Sequence, residues 1–154
     1  EKAALDTVKI NTSNGKVTAD ALFTTQNLNV QSDNGKIELM QMICEKNAQV
    51  HCSNGKITVN AGFKGESLFS SNNGKVELAG ACEGTVTCKT NNGTIQVTAP
   101  KPESAYRVEA RTDNGSVYVN DNKVLNPYTA QNTQADTNLY AVSNNGSILL
   151  EFAN

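Results

Sequence analysis

The chain has 154 residues, the size of one domain, with 38% hydrophobic and 18% charged residues, both below globular averages. A net charge of −2 gives no general attraction to nucleic acid. One His and four unclustered Cys offer none of the usual zinc spacings, and no apolar run nears the roughly 18 residues of a membrane span.

Seven similar elements then follow one another. The first alternates through Val8, Ile10 and Thr12 into Asn14-Gly15 and leaves through Lys16, Val17 and Ala19. The second runs Val30, Ser32, Asn34-Gly35, Lys36, Ile37 and Leu39, and the third Val50, Cys52, Asn54-Gly55, Lys56, Ile57 and Val59. The fourth runs Phe69, Ser71, Asn73-Gly74, Lys75, Val76 and Leu78, and the fifth Cys88, Thr90, Asn92-Gly93, Thr94, Ile95 and Val97. The sixth runs Ala110, Thr112, Asn114-Gly115, Ser116, Val117 and Val119. A longer interval precedes the seventh, with Ala141, Ser143, Asn145-Gly146, Ser147, Ile148 and Leu150.

The Asn residues are separated by 20, 20, 19, 19, 22 and 31 positions. Period-two alternation with β-branched enrichment predicts strands with one buried face, and no stretch has a helical period. The class is all-β. Asn-Gly is a strong hairpin signal, so a hairpin-repeat prism or propeller is one architecture. The other is a single-domain β-solenoid, β-helix-like, of about seven ~20-residue coils, each stacked on the one before at about one strand spacing. A hairpin would accept Asp or Gly in place of Asn. Seven Asn in seven favours stacked coils, where amides one rung apart hydrogen-bond as a ladder. The Gly residues are expected at positive φ.

The repeated motif has Ser, Asp or Asn, then Asn-Gly, then Lys, Thr or Ser, then Val or Ile, any residue, and Ala, Leu or Val. From Val8 to Phe152 it resembles the bacterial β-strand-repeat domains that carry an adhesin label, a family of unknown function found largely in envelope and surface proteins. The resemblance implies a β-solenoid-like fold and a non-enzymatic structural or adhesion-type module of the cell envelope or surface. It supplies no catalytic, cofactor or metal residues.

Lys16, Lys36, Lys56 and Lys75 hold one position on four successive repeats. Stacked, they form a cationic stripe about 14 Å long, a candidate site for an extended anionic polymer such as a polyphosphate or acidic glycan. Glu38 and Glu77 share the outward face and partly neutralise it, with Lys56 between them. The same two residues would be the carboxylates of an alternative reading, a carbohydrate-active enzyme on a β-helical scaffold. At two rungs apart, about 9–10 Å, they approach an inverting glycosidase's spacing, but an open face beside Lys gives neither a raised pKa.

His51, without a second His or an acidic cluster, reads as a surface residue. Cys52 and Cys88 fall in inward columns and are expected buried. Cys44 and Cys82 lie two repeats apart, too far for a disulfide, whereas Cys44 with Cys52 or Cys82 with Cys88 stays open.

Residues 121–138 form an insertion before the last repeat, with Leu125, Pro127 and Tyr128, expected to fold over the last rungs as a cap or offer a partner patch. Alternation begins by Val8 with no capping segment ahead of it, so the chain is expected to be a piece of a longer protein. Self-association through terminal rungs, as in an intracellular end-to-end scaffold, is a third reading. The partner expected of the envelope module is a protein or anionic polymer, with no nucleic acid and no membrane insertion by this domain.

Overall fold

The structure, a computed structural model, describes residues 3–154. Its strands are β1 (Ala3–Asn14), β2 (Val17–Asp20), β3 (Phe23–Asn34), β4 (Ile37–Asn54), β5 (Ile57–Phe63), β6 (Glu66–Asn73), β7 (Val76–Ala79) and β8 (Gly84–Asn92). They continue as β9 (Ile95–Ala99), β10 (Tyr106–Asn114), β11 (Val117–Val119), β12 (Asn122–Val124), β13 (Tyr128–Ala130), β14 (Thr137–Asn145) and β15 (Ile148–Phe152). One 3-10 turn, Glu103–Ala105, precedes β10.

The fold is all-β and β-solenoid-like, a single sheet wound around one core. Among the described residues no Asn-Gly step is the turn of an antiparallel hairpin. The segment on each side of a step pairs in parallel with its equivalent in the next coil, Val17 with Ile37 and Asn14 with Asn34 in the first pair. The chain turns at the Asn-Gly step and again at the register breaks between Met40 and Ile43 and between Thr25 and Asn27. Inward columns are dry: Val30, Ile37, Leu39, Ile57, Phe69, Val76, Val86, Ile95 and Ile148 are all buried. Phe63 and Phe69 meet edge to face at 5.0 Å in the middle of the stack, a favoured aromatic geometry.

Stacking in strict chain order does not hold. The last repeat inserts between the fifth and the sixth: β14 lies between β8 and β10, and β15 between β9 and β11. The order along the stack is therefore the Asn14, Asn34, Asn54, Asn73, Asn92, Asn145 and Asn114 coils. The insertion explains the exchange. Its strands β12 and β13 pair antiparallel with β11 and β10, so the Asn114 coil is covered and must be terminal. Asn126 clamps this cover: the Thr112 N–H donates to its Oδ1 at 3.1 Å, and its Nδ2 donates to the Thr112 carbonyl at 2.6 Å. Arg107 donates to the carbonyls of Asn132 and Thr133. Val124, Tyr128 and Ala130 pack on the core, while Leu125 stands exposed at the loop tip.

Candidate functional site

Each stripe lysine directly follows the Gly of its Asn-Gly step, where the main chain is locked to the next coil. The Val17 N–H donates to the Lys36 carbonyl at 2.8 Å, Ile37 to Lys56 at 2.9 Å, and Ile57 to Lys75 at 2.9 Å. This register puts the four ammonium groups on one edge. Two positions on, the outward column reads Thr18, Glu38, Thr58, Glu77 and Gln96 in matched register. A carboxylate on alternate coils can serve its own lysine and the preceding one.

It does so. Glu38 pairs with Lys16 at 2.5 Å and also with Lys36, and Glu77 pairs with Lys56 and Lys75, both at 2.5 Å. Lys75 adds a bond to Gln96 at 2.9 Å. Among the described residues Lys56 thus pairs with Glu77 and not with Glu38. Hydrogen bonds from Lys16 and then Lys36 hold the Glu38 carboxyl down to about 2. At Glu77, burial favours the neutral acid, but the bonds from Lys56 and Lys75 outweigh it and its pKa falls below the ordinary value. Both shifts favour the ionised form, the opposite of the raised pKa that a general acid needs. The stripe instead carries four cations against two carboxylates, an excess of two positive charges (4 − 2), and its lysine side chains stay 35–55% exposed.

The turn column forms a continuous amide ladder. Asn34 donates to Asn14, Asn54 to Asn34, Asn73 to Asn54, Asn92 to Asn73, Asn145 to Asn92 and Asn114 to Asn145, at 2.8–3.1 Å. Positive φ occurs at Gly15, Gly35, Gly55 and Gly146 but not at Gly74, Gly93 or Gly115, which corrects the conformational expectation for those three. What excludes a side chain there is crowding. A Cβ on Gly74 or Gly93 would stand 2.6 Å from the carbonyl carbon of the Gly in the adjacent coil, and one on Gly115 2.7 Å.

The residue two before each Asn is small in all seven repeats, and the structure gives the reason in four of them. Ser71 donates to the Gly55 carbonyl, Thr90 to Gly74, Ser143 to Gly93 and Thr112 to Gly146, at 2.8–3.2 Å. A small hydroxyl thus ties each of these four turns to its neighbour and gives a buried polar group its partner. The ion pair Lys64–Glu45, at 2.9 Å, was also missed, because it lies outside the repeated columns.

All four cysteines are free and buried. Cys44 and Cys82 do share a column two rungs apart, with Phe63 between them. Burial pushes the Cys82 thiol up to about 11 and Cys88 higher still. His51 is half-buried, its Nδ1 2.9 Å from the Ser70 hydroxyl, a structural contact within the outward face.

The family model Toastrack DUF4097 matches residues 1–151, and the chain belongs to that family, a domain of unknown function. No curated protein and no solved structure matches it.

Proposed function

We propose that this Toastrack-family chain is a non-enzymatic structural module of adhesion type in a bacterial cell envelope, and that its lysine edge engages an extended anionic polymer. The observation that carries the reading is the in-register stripe of Lys16, Lys36, Lys56 and Lys75, against which, among the described residues, Glu38 and Glu77 stand. Cations repeating at about 4.8 Å match the repeating charges of a polymer better than any small ligand. The same columns disfavour the carbohydrate-active reading, since glycoside hydrolysis needs one carboxyl that keeps its proton and both carboxyls here are held ionised.

The test is binding of the purified chain to polyphosphate and to an acidic polysaccharide, beside a neutral polysaccharide, at low and high salt. The reading requires binding to an anionic polymer that weakens steeply with salt. Equal binding to the neutral polymer, or turnover of any polymer, overturns it.

A further inference from the structure

The seven Asn-Gly steps carry the same two groups, a side-chain amide and the main-chain nitrogen that follows it, but the fold does not hold them alike. In six steps the Gly N–H donates to an Asn carbonyl of the adjacent coil, from Gly15 to Asn34 through to Gly146 to Asn114, at 2.9–3.0 Å. In the same six the Asn Oδ1 accepts from the next amide of the ladder. The Asn114-Gly115 step is different. Among the described residues its Gly115 N–H finds no acceptor, and the Asn114 Oδ1 finds no donor.

The cover on this coil explains the difference. β10 and β11 are paired on both edges, with β14 and β15 inside the stack and with β13 and β12 outside it. No further coil can therefore add beyond them and occupy the turn. The covering strands reach residues 108–110 and 117–119, and Asn126 clamps Thr112, so the cover stops short of the turn itself. Asn114 and Gly115 are both exposed, whereas Gly74, Gly93 and Gly146 are half-buried.

We propose that Asn114-Gly115 is a site of self-modification, at which the Gly115 nitrogen attacks the Asn114 side chain and converts residue 114 to aspartate and isoaspartate. The nitrogen gives its proton to solvent base and bonds to Asn114 Cγ. The Cγ–Nδ2 bond breaks, and Nδ2 takes up a proton and leaves as ammonia, closing a succinimide ring. Water then adds to one ring carbonyl and opens the ring. Addition at the side-chain carbonyl gives aspartate, and addition at the main-chain carbonyl gives isoaspartate.

A carbonyl bonded to an N–H favours the protonated nitrogen, so the six held nitrogens are poor nucleophiles and Gly115 is not restrained in this way. The free Asn114 Oδ1 can be solvated as it gains negative charge during the addition. The amide bond from Asn114 to Asn145, at 2.9 Å, is lost with the ammonia. An ionised carboxylate only accepts hydrogen bonds, so the modified chain loses the last bond of the ladder beside its covered end.

The test is incubation of the purified chain at mildly alkaline pH, with peptide mapping by mass spectrometry at intervals and a parallel sample in denaturant. In the native chain Asn114 should convert about tenfold or more faster than Asn54, Asn73 or Asn92, where reaction waits on local opening. In denaturant the four sites should convert at similar rates. Asn114→Gln keeps an amide but lengthens the ring to be closed, and its peptide should stay unconverted over the same time. Native conversion at Asn114 no faster than at the interior steps overturns the proposal. So does a preference for Asn114 that persists in denaturant, or an equal mass gain in the same peptide of Asn114→Gln.

Discussion

A Cβ on Gly74 would overlap the carbonyl oxygen of Gly55 and stand 2.6 Å from its carbon. Adjacent turns come this close because the amide ladder and the main-chain bonds, such as Gly74 N–H to the Asn92 carbonyl at 2.9 Å, draw the coils together. Glycine at the turn is a condition of stacking. Gly15, on the first described coil, has no atom within 4 Å of that position, although its φ of +122° disfavours a side chain.

The two glycines therefore separate crowding from backbone strain. Gly15→Ala should cost about 1 kcal/mol, from conformation alone. Gly74→Ala has no such strain but must push two coils apart, at about 3 kcal/mol. Urea unfolding of both variants measures the difference. Equal costs would mean that the turns relax independently of their neighbours.

The ladder predicts a similar gradient along the stack. Asn73 takes part in two amide bonds, donating to Asn54 and accepting from Asn92, whereas Asn14 only accepts from Asn34. Asn73→Ala should lower stability by about 1–2 kcal/mol and Asn14→Ala by less than half as much. If the terminal and interior substitutions cost the same, the side-chain ladder contributes little.

The strands and their inward faces were legible because period-two alternation and the Asn-Gly spacing are local patterns. Val30, Ile37, Phe69 and Ile148 could be placed in the core from spacing alone. The stack order was not legible. Asn114 and Asn145 carry the same motif, so nothing in either repeat says which is terminal. That depends on where β12 and β13 fold back, a long-range outcome of residues 121–138 with no repeated pattern. The lysine stripe was visible as a column, but its sharing of carboxylates depends on side-chain reach between coils. The hydroxyl-to-carbonyl bonds of Ser71 and Thr90 stayed hidden behind a preference for small residues.

Acid should act on the stripe in a defined window. The pKa of Glu38 is about 2 in the folded chain against an ordinary 4.5, so unfolding raises its affinity for a proton. A depressed carboxyl contributes stability fully above its unfolded pKa, and the contribution is lost as pH falls through the folded one. Stability should therefore decline from about pH 4.5 towards 2, with Glu77 adding in the same direction. Glu38→Gln should flatten that decline in pH-dependent urea unfolding. An unchanged slope would show that the Lys16 and Lys36 pairs do not persist in solution.

The thiols report on the core. Cys44, Cys52, Cys82 and Cys88 are buried and free, and desolvation raises the pKa of each. Reaction needs both access and a thiolate. A maleimide or disulfide reagent at mildly alkaline pH should leave the native chain almost unlabelled and label all four thiols in denaturant. Cys88, fully enclosed, should be the slowest. Rapid native labelling of Cys88 would mean that the inward columns open readily.

The lysine edge gives the last test, and the carboxylates make it directional. An exposed ion pair contributes little by itself and is screened by salt. An anionic polymer must therefore draw on several lysines together, each already shared with Glu38 or Glu77. Changing Lys36 and Lys56 together to Gln removes one cation from each carboxylate's pair, and should weaken binding much more than either change alone. Glu38→Gln should strengthen it, because the single substitution releases both Lys16 and Lys36 while leaving every cation in place. Titration of each variant with polyphosphate at two salt concentrations measures both effects. Loss of binding in the double lysine variant with a gain in Glu38→Gln identifies the stripe as the contact surface. Binding that is indifferent to both would leave the four lysines as counter-charges that hold Glu38 and Glu77 on a solvated face.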